Sequence, residues 1–194
     1  MEKSHSHQPD SCKDHTVYEL SAFILPIEFA IPEIDELRNI YTVDGKRGLS
    51  PHISLMYPFV KDSSAFAEIS SRISAVISAQ HPITVVFEAL VLDEQRNMIY
   101  LRPVFNPAIE QLRSALYAIW KDDELPAPFF HLTLAKKANL TKLTSSTNEA
   151  CQAIQKLLPL TIELSEACFC FELSKKWHLT ETFPFSNSLV SDHL

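Results

Sequence analysis

Two short runs constrain this chain more than any other feature: Pro51-His52-Ile53-Ser54-Leu55-Met56-Tyr57-Pro58-Phe59 and Phe130-His131-Leu132-Thr133-Leu134-Ala135-Lys136. Each places a histidine and a hydroxyl two residues apart inside an apolar stretch. Successive side chains of a strand point to opposite faces, so both polar groups share one face and the aliphatic residues take the other. The histidines lie 79 residues apart (131 − 52), and flanking sequence repeats with them. Pro82-Ile83-Thr84-Val85 recurs as Pro159-Leu160-Thr161-Ile162 at an offset of 77, and Ile99-Tyr100 aligns with His178-Leu179 at 79. Each half reads strand, helix, polar loop, motif, helix, strand, strand. Two copies are too few to stack as a solenoid. The expectation is therefore an α+β fold, duplicated and bilobal: two antiparallel sheets around a central cleft, helices outside, a pseudo-two-fold between the lobes, and one motif strand from each sheet facing the cleft.

The individual elements follow from local pattern. Tyr18 to Ile27 is strand-like, and Pro32 to Tyr41 reads as a helix with proline near its start and Ile34, Leu37 and Ile40/Tyr41 on one face. Thr42 to Ser50 is a polar loop holding Lys46-Arg47. A helix is expected over Asp62 to Gln80, where Phe66, Ile69, Ile73, Val76 and Ile77 recur at helical spacing. Ile83 to Leu92 and Met98 to Phe105 form a hairpin around Asp93 to Asn97. Asn106-Pro107 starts a helix whose stripe is Ile109, Leu112, Leu116, Ile119 and Trp120. The loop Lys121 to Pro128 leads into the second motif. Ser146-Thr147-Asn148-Glu149 fits a capping box opening a helix to about Leu158. Strands over Leu160 to Leu173, interrupted once, and Trp177 to Phe183 complete the chain.

Composition narrows the chemistry. The 194 residues include only two glycines, Gly45 and Gly48, in one loop. Loops that cradle phosphate with backbone N–H groups need several, so any phosphate here must be held by side chains. The net charge of −7 argues against a long nucleic acid bound through many phosphates, which needs a basic face. Cys12, Cys151, Cys168 and Cys170 lack the spacing of a zinc site or a secreted disulfide framework, and read as reduced, buried thiols. His5, His7, Cys12 and His15 sit among polar residues with nothing apolar to fix a metal geometry. Residues 1–15 are expected to be a disordered tail, residues 16–186 a single bilobal domain, and residues 187–194 a C-terminal tail. With no signal-peptide core or membrane-length apolar run, the expectation is a cytoplasmic protein.

If the motif strands face one another, two imidazoles flank one position, each backed by a hydroxyl. Histidine ionises near pH 6.5, so one copy can be neutral and the other protonated near neutrality. Such a pair can deprotonate a nucleophile on one side of a phosphodiester and protonate the leaving oxygen on the other. The hydroxyls can donate to the non-bridging phosphate oxygens. The paired motif resembles the 2H phosphoesterase superfamily, which includes 2′-5′ RNA ligase-like proteins and 2′,3′-cyclic nucleotide phosphodiesterases. The resemblance covers about residues 17–185. It implies His52 and His131 as catalytic acid and base, with Ser54 and Thr133 on the phosphate. It also implies Lys136 as the basic residue five positions beyond the second histidine, where arginine is more usual. Tyr57, the matching position in the first half, is a candidate for lining the cleft.

The substrate class implied is a 2′,3′-cyclic phosphate or 2′-5′ phosphodiester of an RNA end or nucleotide. No metal or other cofactor is implied, and neither a long nucleic acid nor a membrane is an expected partner; the chain is expected to be a monomer. The competing class is a nucleotide or RNA-end binding protein that keeps the cleft without turnover. A metal-dependent hydrolase fits less well, because no His/Asp/Glu cluster has ligand spacing. Trp177, Phe129, Phe130 and Tyr57 are aromatic faces that could stack on a base. Cys168 and Cys170 alternate onto one strand face and read as packing, and His81, His178 and His193 are weaker candidates than the motif pair.

Overall fold

The computed structural model describes residues 16–28, 30–120, 125, 127–136 and 144–186. The expected N- and C-terminal tails and most of the loop 121–128 lie outside the described residues. Eight strands form two four-stranded antiparallel sheets. One has the order β2-β1-β7-β8, built from β1 (Leu20–Pro26), β2 (His52–Met56), β7 (Glu166–Leu173) and β8 (Lys176–Pro184). The other has the order β5-β4-β3-β6, built from β3 (Ile83–Asp93), β4 (Met98–Pro103), β5 (Leu132–Lys136) and β6 (Leu160–Leu164). Both motifs thus fall on strands at the edge of a sheet, and β2 and β5 approach one another.

The sheets mix the halves of the chain: β1 and β2 share a sheet with β7 and β8, and β3 shares one with β4, β5 and β6, so neither half is a lobe by itself. The match at Pro82 and Pro159 does not mark equivalent places in the two sheets: β3 and β6 are antiparallel neighbours in the same sheet, with Val85 opposite Ile162. Nor does the alignment of Ile99-Tyr100 with His178-Leu179. Strand β4 lies beside a motif strand, the place β1 holds in the other sheet, whereas β8 is a far edge. Short offset matches between β-branched strands reflect the common alternation as much as ancestry.

The helices follow their sequence signals closely. Helix α1 (Pro32–Tyr41) buries Ile34 and Leu37. Asp62 caps α3 (Ser63–Ser78), its carboxylate accepting from the Ala65 N–H, and Phe66, Ile73 and Ile77 face inward. Asn106 caps α4 (Pro107–Trp120), its side-chain oxygen accepting from the Ala108 N–H at 2.9 Å. Two expectations need correction. The polar loop contains one helical turn, α2 (Val43–Lys46), because the Thr42 hydroxyl accepts from the Gly45 N–H. Helix α5 (Ser145–Lys156) is capped by Thr144, whose hydroxyl accepts from the Thr147 N–H. The box at Ser146 does not form because the helix already begins at Ser145, which leaves Ser146 inside the first turn and not at its cap.

One continuous core joins both sheets and the helices. Phenylalanines hold its centre: Phe66 and Phe169 stack at 3.8 Å, and Phe59 meets Phe23 at 5.9 Å and Trp120 at 5.2 Å. Helix α1, which connects β1 to β2, packs across the molecule on β5; helix α4, which connects β4 to β5, packs on β2. Each crossover helix thereby leans on the opposite motif strand. Among the described residues no helix is long and apolar enough to cross a membrane.

The two glycines have different reasons to be there. A Cβ at Gly45 would lie 2.5 Å from the Arg38 carbonyl oxygen, so glycine lets α2 close against the end of α1. Gly48 has φ +88° with open space around it, so only backbone strain opposes a side chain there. Gly45→Ala should destabilise by about 1–3 kcal/mol through overpacking and Gly48→Ala by about 1 kcal/mol through strain. Urea titrations of the two variants check the order, and equal or reversed costs would contradict the close approach.

Candidate active site

Strands β2 and β5 alternate as their sequences require. Ile53, Leu55, Leu132 and Leu134 are buried in the core, and His52, Ser54, His131 and Thr133 are half-buried on the other face. A cavity of about 430 Å³ opens over that face. Its lining includes all six residues singled out from the sequence: His52, Ser54, Tyr57, His131, Thr133 and Lys136. Lys136 is exposed at the end of β5, and Tyr57 is 51% exposed. Among the described residues no three His, Cys, Asp or Glu side chains converge to hold a metal ion.

The two histidines are held in the same way. The Nδ1–H of His52 donates to the Ser50 carbonyl at 2.7 Å, and that of His131 donates to the Phe129 carbonyl at 2.8 Å. A carbonyl only accepts, so Nδ1 must carry hydrogen and Nε2 is left as the lone-pair nitrogen in the neutral ring. Burial is the main reason the His52 pKa falls to about 4; the Ser50 carbonyl and Asp44 oppose that shift, and Arg38 and His131 add to it. Burial also lowers the pKa of His131, with the Phe129 carbonyl opposing and Lys136 and Arg96 reinforcing. Both rings are thus poised as neutral bases until an anion arrives to favour their charged forms.

Sequence reasoning missed Arg38, which joins the two strands. From α1 its Nη1 donates to the Thr133 carbonyl of β5 at 2.7 Å. Its Nη2 donates to the carbonyls of Leu49 at 2.8 Å and Ser50 at 3.1 Å, on the approach to β2. The Ser50 oxygen therefore serves both Arg38 and His52. The guanidinium is 2% exposed and also lines the cavity. A signal for it was present: Pro32-Glu33-Ile34-Asp35-Glu36-Leu37-Arg38 recurs as Pro107-Ala108-Ile109-Glu110-Gln111-Leu112-Arg113, with proline, isoleucine, acid, leucine and arginine in register. The two arginines hold the seventh position of α1 and α4.

Aromatic residues flank both histidines. The Phe129 ring lies 4.4 Å from His131 and carries the Arg96 guanidinium over its face at 4.7 Å. Tyr100 meets His131 edge-on at 5.5 Å. On the β2 side Trp177 lines the cavity and donates its indole N–H to Asp44 at 3.2 Å, while Arg47 pairs with Glu172. Trp177 is only 8% exposed and Phe130 packs against the core, so both act mainly as walls. Burial raises the Cys168 and Cys170 thiols to about 11 and about 12. They pack with Ala22, Ile24, Leu49 and Trp177 in a small apolar cluster, as packing groups with little thiolate character. His178 stacks on Phe171 at 5.3 Å, away from the motif pair.

Two edge strands, each carrying His-x-Ser/Thr into one cleft between antiparallel sheets, define a class of bilobal phosphoesterase-like fold. A family model described as the 2′-5′ RNA ligase superfamily matches residues 25–171, and the chain belongs to that superfamily. No curated protein matches the sequence. Solved structures of similar fold include LigT from E. coli in apo form, at 14% identity and TM-score 0.58, covering 88% of this chain and 99% of that one. LigT complexed with 3′-AMP aligns at 13% identity and TM-score 0.56 over 87% and 98% of the two chains. TT0787 of Thermus thermophilus aligns at 9% identity and TM-score 0.58 over 85% and 97%. At these identities the likeness is one of fold.

Two outcomes follow for the free protein. The folded-state pKa of His52, about 4, lies below its unfolded value of about 6.5. The unfolded chain therefore takes up this proton first, and stability falls as pH drops from about 6.5 towards 4. Chemical denaturation across that range should show the decline, shallower in His52→Gln; an identical slope would contradict the buried neutral ring. Arg38 lowers the His52 pKa, so Arg38→Met should raise it and Arg38→Lys, which keeps the charge, should not. Imidazole NMR titration reads this directly.

Proposed function

We propose that this chain is a metal-independent phosphoesterase acting on 2′,3′-cyclic phosphates or 2′-5′ phosphodiesters of RNA ends or nucleotides. His52 and His131 are its general base and acid. The observation that carries this reading is the matched pair: two imidazoles in one cavity, each with Nδ1 tied to the carbonyl two residues before it. That leaves Nε2 of each ring to exchange protons with substrate. LigT of similar fold has been crystallised with 3′-AMP, with NADP+, with ATP and with phosphate, which supports a phosphate-bearing nucleotide as the ligand class.

In hydrolysis, neutral His52 accepts a proton from water through Nε2 as the water oxygen bonds to phosphorus. The P–O bond to the ribose oxygen breaks, and Nε2–H of His131 gives its proton to that oxygen. His131 acquires this proton when the phosphate's negative charge enters the cavity and favours the imidazolium. The proton lost by one ring equals the proton gained by the other, so a turnover ends with the roles ready to reset through solvent. Ser54 and Thr133 donate hydroxyl hydrogens to the non-bridging oxygens, where charge builds. Lys136 draws the anion in from the rim. The pair supplies both proton transfers, so the step asks for no metal. We infer a monomer working in the cytoplasm on nucleotides or short RNA ends.

Turnover of a 2′,3′-cyclic nucleotide with chelator present is the test. His52→Ala or His131→Ala should each lower kcat by about 10²- to 10⁴-fold, and the double variant should lose far less than the product. Ser54→Ala and Thr133→Ala should cost less than either histidine. The pH profile of kcat/KM should be a bell whose limbs lie below the ordinary histidine value, since both free-protein pKa values are lowered. Full activity in a folded His52→Ala/His131→Ala variant would sink the reading, and an inactive wild type that binds nucleotide would leave a binding protein.

A further inference from the structure

The cavity over the motif strands is chemically uneven along its length. One end is the polar face of β2 and β5, with His52 and His131. From there the lining crosses the β2-β1-β7-β8 sheet away from β5, over Leu20 and Ala22 on β1 to Trp177 on β8, with Leu49 beside them. These four belong to the small apolar cluster that also buries Cys168 and Cys170. An apolar floor suits the face of a flat ring, and the few polar groups beside it then decide which ring fits and in which orientation.

Asp44, half-buried on α2, is the only acid among the described residues that line the cavity. Its place is fixed from several sides. Gly45 lets α2 close against the Arg38 carbonyl, the Asp44 carbonyl accepts from the Leu49 N–H at 2.9 Å, and the carboxylate Oδ1 accepts from the Trp177 indole N–H at 3.2 Å. The Trp177 backbone N–H in turn donates to the Arg47 carbonyl at 2.9 Å, which ties β8 to the same turn. The Arg47 guanidinium pairs with Glu172, so the neighbouring cation is engaged by another carboxylate. A carboxylate offers about four lone-pair sites and no hydrogen, so with Trp177 on one oxygen Asp44 still has lone pairs to accept from a ligand.

We propose that Asp44 is a specificity-determining residue: it accepts from the amino group of a nucleobase lying on the apolar floor, so the cavity prefers the amino-bearing bases cytosine and adenine to uracil. The inference rests on the reading of this cavity as a nucleotide site with phosphate at the histidines. Cytosine and uracil have nearly the same shape and differ at position 4, an amine that donates in one and a carbonyl that accepts in the other. Against a fixed carboxylate the amine gains a charge-assisted hydrogen bond. The uracil carbonyl instead sets two acceptors face to face. A site built around one hydrogen bond rejects the analogue that cannot make it, because a polar group of the protein is then left unpaired.

The test is equilibrium binding of 3′-CMP and 3′-UMP, beside turnover of the corresponding 2′,3′-cyclic nucleotides. The wild type should bind 3′-CMP about ten-fold or more tightly than 3′-UMP, the worth of one hydrogen bond to a charged group. Asp44→Ala should bring the two affinities together. Asp44→Asn should reverse their order, since an amide that accepts from Trp177 through its oxygen presents its NH2 to the uracil carbonyl. Loss of the charge also acts on His52, where Asp44 opposes the fall of the pKa that burial causes; that effect falls on both nucleotides alike and leaves their ratio in place. Equal affinities in the wild type, or a cytosine preference that survives Asp44→Ala in folded protein, would overturn the assignment, and so would failure to bind either nucleotide. A cytosine preference without turnover would remove the enzymatic reading and leave Asp44 in its role. Turnover of both cyclic nucleotides with no preference in binding would do the reverse.

Discussion

The buried fork of Arg38 is the interaction on which the cleft depends. A guanidinium taken out of water needs acceptors for its donors, and here three backbone carbonyls supply them, from Thr133 on one motif strand and Leu49 and Ser50 beside the other. Hydrogen bonds to a charged donor contribute roughly 1.5–3 kcal/mol each, and orphaned carbonyls would remain if the fork were cut away. The same contacts set the geometry of the chemistry. The Ser50 oxygen orients His52, and the Thr133 backbone lies two residues beyond His131, so one side chain from α1 fixes the relative placement of both imidazoles. The cation also opposes protonation of His52, which ties the mechanical role to the electrostatic one.

An exposed sheet edge normally invites pairing with another strand. Strands β2 and β5 are both edges, and they approach each other without joining into one sheet. The arginine occupies the Thr133 acceptor that a neighbouring strand would otherwise seek, and half-buried polar side chains project from both strands between the sheets. Beneath them, Ile53, Leu55, Leu132 and Leu134 anchor each edge in the same core. The site gains its pre-organisation from strands and not from loops.

Much of this architecture was legible in the chain. Alternation placed His52 with Ser54 and His131 with Thr133 on one face, and proline followed by an apolar stripe located α1 and α4. The six site candidates converge because the duplicated motif carries its own facing information. Arg38 was not legible from local pattern: it is one of several charged residues in an amphipathic helix, and its partner Thr133 lies 95 residues away. Only comparison of the two proline-initiated helices, with arginine at the same position in each, would have drawn attention to it. Other differences have local causes. Thr144 preceded Ser146 as the nearer cap, and Thr42 closed a turn of helix in what composition alone made a loop. Which hairpin joins which motif strand depends on packing between helices and opposite sheets, and no window of sequence records that.

The mixing of strands between halves bears on how far the chain can be divided. A cut between β3 and β4 would leave β1, β2 and β3 on one piece and β4 to β8 on the other. The pairing of β1 with β7, and of β3 with β4 and β6, crosses that cut. Neither piece can complete a sheet alone, so the two sheets and the cleft between them form as one cooperative unit.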